Sequence, residues 1–301
     1  LHPDFSENGY VYLYYTYRDG DDLWNRVERY REDGSRLIMD RVILDGIPGA
    51  SIHNGGRLKF GPDGKLYITS GDASQPDLAQ DLDSLAGKIL RLNPDGSISD
   101  DNPFPGSPVY SYGHRNPQGL DWQPGTGLLF EAEHGPIGHD EVNLIQPGKN
   151  YGWPLAVGQT GDPRFVEPLF ETGDDTLAPS GISFYHGGLL PWRGVLFMAG
   201  LRGSRLHMLF LSGDGSPAVD SDEALFQGVY GRLRDVLQGP DGFLYFSTSN
   251  RDGRGTPAAS DDRILRITPA GGMNSALLLF QSDTITLETS ESRTEMLALA
   301  K

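Results

Sequence analysis

Cysteine is absent from this chain of 301 residues. No disulfide framework and no thiolate metal site can form, and either redox compartment suits such a sequence. Long apolar runs are also missing. A stretch such as Ala276–Phe280 falls far short of the roughly 18–20 residues that a membrane-spanning helix needs. Positive charge is scarce: 25 Lys and Arg stand against 41 Asp and Glu, a formal net charge of −16. That balance argues against nucleic acid as a partner, because phosphate binding needs a basic face. It leaves room for a small anion held by a few clustered arginines. Helical periodicity is weak and confined to about Asp77–Leu85. The chain opens on Leu1 rather than Met, which reads as an internal start, so a missing leader says little about location.

What is abundant is turn chemistry, with 40 Gly and 21 Pro in a chain of otherwise globular composition. The turns repeat. Phe60-Gly61-Pro62-Asp63-Gly64-Lys65-Leu66-Tyr67-Ile68 returns as Gln238-Gly239-Pro240-Asp241-Gly242-Phe243-Leu244-Tyr245-Phe246, and Gly61 and Gly239 lie 178 residues apart. Ile89-Leu90-Arg91-Leu92 returns as Ile264-Leu265-Arg266-Ile267 at nearly the same offset, 175 residues. Looser copies follow Pro3, Pro124 and Pro191, each leading into a β-branched or aromatic run. Units of this length, made of several strands and almost no helix, are propeller blades. A propeller must close to hide its sheet edges, so five visible markers predict an all-β, six-bladed β-propeller lacking part of its N-terminal blade. The propeller is expected over residues 1–270. Residues 271–301 read as a tail with one strand-like piece, Thr284–Leu287. A β-sandwich with a chance repeat is the competing architecture.

Three loops gather polar side chains. In Ile52-His53-Asn54-Gly55-Gly56-Arg57, paired glycines allow a sharp turn beside a ligand, and His53 could accept a hydroxyl proton. Its bland alternative is a histidine bonded within its loop. In Gly113-His114-Arg115-Asn116-Pro117-Gln118, Arg115 and Asn116 could hold carbonyl or carboxylate oxygens, or simply brace the turn. The segments Glu133-His134-Gly135-Pro136, His139-Asp140-Glu141-Val142-Asn143 and Asn150-Tyr151-Gly152-Trp153-Pro154 join carboxylates to a Gly/Pro loop, which suits calcium better than zinc. A solvated acidic loop is the alternative. Arg202 lies in a further loop. Arg232 and Arg234 share one strand face by period two, an arrangement that calls for an anion between them, from a ligand or from a neighbouring acid.

In this order and near this spacing, His53-Asn54-Gly55-Gly56-Arg57-Leu58, Gly87-Lys88-Ile89-Leu90-Arg91-Leu92, Gly113-His114-Arg115-Asn116-Pro117-Gln118-Gly119-Leu120, His134-Gly135-Pro136, Asp140-Glu141-Val142-Asn143 and Asn150-Tyr151-Gly152-Trp153-Pro154 resemble the soluble aldose (glucose/sorbosone-type) dehydrogenases that use pyrroloquinoline quinone, PQQ. The resemblance covers about residues 1–270. It implies an oxidoreductase that converts aldoses to lactones, with His53 as the base and hydride passing to PQQ. Arg115 and Asn116 would contact the quinone oxygens. Arg202, Arg232 and Arg234 would bind the cofactor, the last two through its carboxylates. The carbonyls of Gly135 and Pro136 would ligate a calcium ion, and Glu141 with the backbone of Tyr151 a second one. A small sugar, an external electron acceptor and a periplasmic or extracellular location follow from the same resemblance. The chain begins just after a Gly-rich segment in which the family has a cofactor-contacting Gln, and Ile52 stands where some members carry Asp. A calcium-dependent propeller lactonase and a non-catalytic binding propeller are the competing functions.

Overall fold

Asp63 shows what the repeated turn is for. Its backbone turn is closed by the Gly61 N–H donating to Lys65 O and the Gly64 N–H donating to Gly61 O. Asp63 Oδ1 then accepts the Lys65 N–H, and Oδ2 accepts the Tyr67 hydroxyl and Arg91 Nε. Asp241 repeats this network with Phe243, Tyr245 and Arg266. Gly64 and Gly242 both sit at positive φ, +72° and +82°, where glycine has no steric penalty. One carboxylate therefore ties the first hairpin of a repeat to its third strand. That explains why Asp, Tyr and Arg recur together in the sequence.

The structure, a computed structural model, describes residues 1–212 and 217–269 and the backbone of 278–281. It contains five antiparallel sheets, each a meander in chain order. The first has three strands, β1 (Tyr10–Asp19), β2 (Asp22–Asp33) and β3 (Arg36–Gly49). Four four-stranded sheets follow. They are β4 (Leu58–Phe60), β5 (Leu66–Ser70), β6 (Lys88–Leu92) and β7 (Val109–Tyr112); β8 (Pro117–Trp122), β9 (Leu129–Glu133), β10 (Glu141–Ile145) and β11 (Phe170–Glu171); β12 (Pro179–Phe184), β13 (Leu196–Gly200), β14 (Arg205–Leu211) and β15 (Val219–Leu225); and β16 (Leu233–Gln238), β17 (Leu244–Thr248), β18 (Ile264–Pro269) and β19 (Leu278–Gln281). The expected helical stretch is one 3-10 turn, Pro76–Ala79. This is the all-β organisation of propeller blades. In each four-stranded sheet the marker proline lies between the first two strands. The Thr284–Leu287 piece falls outside the described residues, whereas β19 pairs with β18 inside the segment expected as a tail.

The chain divides into two compact units, one holding residues 1–118 and 145–167, the other 119–144 and the described residues from 168 onward. Inward-facing strand residues build each core. In the first unit Leu66, Ile68, Leu90, Leu92 and Val109 pack with Val27 and Ile47. In the second unit one cluster centres on Phe197, Met208 and Phe246, another on Phe130, Phe184 and Met198. Lys88 is an exception, a fully buried lysine in the first unit. Burial pushes its ammonium down to about 7, while the carbonyls of Leu78, Ala79 and Ala86 accept from Nζ and fasten the 78–86 connection to β6.

The turn network makes a differential prediction. Asp63→Ala strips acceptors from the nearly buried Arg91 (side chain 6% exposed) and should lower unfolding free energy by about 1–3 kcal/mol, measured from the urea midpoint. Asp241→Ala, opposite an Arg266 side chain that is 28% exposed, should shift it less. Equal shifts would mean that burial of the arginine does not set the effect.

Candidate active site

In the first unit, the loop after β3 brings His53 back over the end of β5. His53 adopts φ +62°. Its approach depends on Gly71, since a Cβ there would collide with the His53 carbonyl. The imidazole is mostly buried, with 16% of the side chain exposed, and Nδ1 lies 2.8 Å from Asp72 Oδ1. A carboxylate at Nδ1 fixes the tautomer with the proton on that nitrogen and leaves Nε2 as an acceptor.

Asp72 is itself held on several sides. Its side chain is 1% exposed. Oδ1 also accepts the Ser74 N–H, Oδ2 accepts the Trp153 indole N–H at 2.8 Å, and the Asp72 N–H donates to Arg115 O. The Arg115 guanidinium carbon lies 5.2 Å from the centroid of the Trp153 ring, within cation–π range. Asn116, 3% exposed, accepts the Gly55 N–H at Oδ1. Thus His53, Arg115 and Asn116 are brought together around Asp72 and Trp153. Trp153 arrives there because the 150–153 segment is laced to the 112–113 segment: the Tyr151 and Trp153 N–H groups donate to Tyr112 O and Gly113 O. His114 takes no part in this polar set on its own side. It is fully buried, stacks on Tyr151 at 4.7 Å and bonds Ser111 Oγ.

In the second unit, Arg202, Arg232 and Arg254 line a cavity of about 320 Å³ together with Ser204, Asn250 and Thr256. Arg232 precedes β16 and the pairing register shifts between Leu233 and Asp235, so the expected period-two strand face is not formed; the two guanidinium groups meet instead at one carboxylate. The anion between them is Asp252, whose Oδ2 is 2.8 Å from Arg232 Nη2 and 3.5 Å from Arg234 Nη2. The acidic neighbour that the sequence left as one option is therefore supplied from 18–20 residues downstream.

The Gly135–Asp140 loop of the same unit is pinned by Asp140. This carboxylate accepts the N–H groups of Gly135, Leu177 and Ala178, so it serves the backbone of the loop that carries Gly135 and Pro136. Beside it, Asn143 Nδ2 contacts the carboxylates of Glu131, Glu133 and Glu141 at 3.2–3.3 Å. Glu131 Oε1 and Asn143 Oδ1 are buried without a hydrogen-bond partner. Burial and the neighbouring Glu133 push the Glu131 carboxyl well above the ordinary carboxylate range. The carboxylates around Asn143 form a net-negative donor set with unsatisfied oxygens, which fits a hard cation. The guanidinium-lined cavity likewise fits a polycarboxylate.

Asp72 and Asp252 were missed by sequence reasoning, and Trp153 was seen only as part of a motif. Asp72 does stand at the end of a strand after a glycine, yet nothing local pairs it with His53, 19 residues earlier.

The glucose / sorbosone dehydrogenase family model matches residues 1–266. Aldose sugar dehydrogenase YliI of Escherichia coli is 36% identical over 277 residues, covering 84% of this chain and 74% of that protein. Among solved structures, an oxidoreductase (glucose dehydrogenase) from Thermus thermophilus is 51% identical with a TM-score of 0.81, covering 88% of this chain and 80% of that one. The PQQ-bound aldose sugar dehydrogenase of Streptomyces coelicolor is 44% identical with a TM-score of 0.79, covering 88% of this chain and 77% of that one. By sequence and by fold, this chain belongs to the glucose/sorbosone dehydrogenase family of β-propellers.

Proposed function

We propose that the chain is a quinoprotein oxidoreductase that oxidises an aldose at its anomeric carbon to the lactone, using PQQ and calcium. The observation that carries this reading is the His53–Asp72 pair. The Asp72 carboxylate holds the imidazole with Nε2 as acceptor, and Nε2 takes the proton of the sugar's anomeric hydroxyl as the C–H hydride leaves. PQQ, when bound, supplies the electrophilic carbon that receives the hydride, with calcium acting as a Lewis acid on its oxygens. Arg115, held over the Trp153 ring, and Asn116 are assigned to the quinone oxygens, where negative charge grows during reduction. Arg232 and Arg234 are assigned to the cofactor carboxylates, and Arg202 to another contact with the cofactor.

The carbonyls of Gly135 and Pro136 are assigned to the catalytic calcium, Glu141 and the backbone of Tyr151 to a structural one. Support for the latter is the buried carboxylate group around Asn143. A six-bladed closure belongs to the same proposal. Pro3 precedes β1, whereas the other markers sit between first and second strands, so β1–β3 correspond to the last three strands of a blade. No helix among the described residues is long and apolar enough to cross a membrane. The periplasmic or extracellular location and the external electron acceptor are parts of the proposal that rest on the family.

Reconstitution tests the reading. His53→Ala is expected to lower kcat for dye-linked aldose oxidation by about 10²–10⁴-fold while PQQ titration remains unchanged. Asp72→Asn should lose a similar factor, because an amide has one acceptor oxygen where the carboxylate serves the His53, Ser74 and Trp153 N–H groups with two. Full activity in either variant, or no PQQ binding by the wild-type chain, defeats the assignment. Removing calcium with a chelator should abolish quinone-dependent turnover, and added calcium should restore it. Glu141→Gln should raise the calcium concentration required, and an unchanged requirement would remove Glu141 from the ligand set.

A further inference from the structure

Two neighbouring guanidinium groups repel each other, and burial sharpens the repulsion because less water screens them. The Arg232 and Arg234 side chains are only 14% and 29% exposed. Asp252, 6% exposed, answers both. Its Oδ2 accepts from Arg232 Nε at 3.0 Å and Nη2 at 2.8 Å, with Arg234 Nη2 at 3.5 Å and Ser249 Oγ at 3.4 Å. Its Oδ1 accepts the Arg254 N–H at 2.9 Å. Burial opposes ionisation, but the Arg254 amide and the two guanidinium groups outweigh it and hold the carboxyl below its ordinary value. None of the residues lining the adjoining cavity is acidic, and three are arginines. Asp252 therefore stands behind the cavity wall, touching Arg232 from the far side and anchoring the loop that carries Arg254.

This arrangement controls more than local stability. Without a resident carboxylate, the surroundings of the pair would be one unit more positive and would attract small anions more strongly through charge alone. With Asp252 in place the pair carries one net charge and stays assembled before a ligand arrives. A lone inorganic anion then gains little, whereas a ligand with several carboxylates gains from Arg202, Arg232 and Arg254 together. We propose that Asp252 is a positioning and specificity residue: the internal counter-anion of the Arg232–Arg234 pair, which keeps small inorganic anions out of a cavity built for a polycarboxylate. This inference rests on the assignment of these arginines to the cofactor.

Sulfate is the probe, with chloride at equal ionic strength as the control and thermal midpoint as the readout on protein free of cofactor. Wild type should respond alike to both salts. Asp252→Asn keeps an oxygen for the Arg254 N–H and loses the charge. It should melt lower in chloride, recover several degrees in sulfate, and show sulfate competing with PQQ about tenfold more strongly than in wild type, a difference of about 1.4 kcal/mol. Asp252→Glu, which keeps the charge, should match wild type toward sulfate. Arg234→Gln combined with Asp252→Asn restores a single net charge and should lose the sulfate response. Should the single Asn variant not fold, recovery of this double variant as folded protein supports the proposal and its failure to fold overturns it. The proposal is also overturned if Asn and wild type respond equally to sulfate, or if Glu behaves like Asn. If no form binds PQQ, the cofactor assignment fails, yet the sulfate comparison still decides the role of Asp252.

Discussion

The carboxylate of Asp72 connects parts of the first unit that the chain keeps far apart. It receives the His53 imidazole from the loop after β3, the Trp153 indole from beyond β10, and its own backbone N–H is donated to Arg115 O. A carboxylate buried this deeply is tolerable only when donors surround it. That condition constrains the arrangement, since the Ser74 N–H is local and the other two donors, His53 and Trp153, come from two distant segments. The His53 imidazole is oriented, the aromatic platform is fixed beneath Arg115, and the tautomer is set by one group. In the proposed role of general base, an imidazole held in this way needs no rearrangement when substrate arrives, a form of preorganisation that lowers barriers.

Charge placement follows the same logic throughout an acidic protein. Arg91 is embraced by Asp63 and Asp101, Arg232 and Arg234 share Asp252, and buried Lys88 is surrounded by carbonyls. Cations are few, and these inward ones have oxygen partners. The opposite case is the Glu131–Glu133–Glu141 group, where negative charge accumulates around a single amide. Excess acid in that one place, beside the loop pinned by Asp140, is what gives the second unit its affinity for a hard cation in the proposed reading.

Close backbone approach is the other recurring constraint. The Gly-Pro-Asp-Gly turns share the same Tyr hydroxyl and backbone N–H partners at Asp63 and Asp241 although their surroundings differ. Gly71 lets the His53 loop rest against β5. Repetition therefore serves the scaffold, and departures from repetition serve the site. His53, Arg115 and Arg232 all lie in loop or strand-end positions that have no counterpart in the repeated turn.

The sequence by itself determined the strands, the hairpins that carry Pro62, Pro124, Pro191 and Pro240, and the all-β class, because those depend on side-chain alternation and turn chemistry within a few residues. It also showed His53, Arg115 and Asn116 as polar groups worth following, since glycine-flanked loops dense in donors stand out locally, and it left open whether the Arg232–Arg234 pair meets a ligand or an internal acid. Only the tertiary structure decided that Asp252 is that acid, that Asp72 and Trp153 complete the histidine's surroundings, and that His114 is fully buried. Those outcomes depend on segments up to 81 residues apart meeting in space, and no periodicity or spacing along the chain encodes which buried donor will find which acceptor.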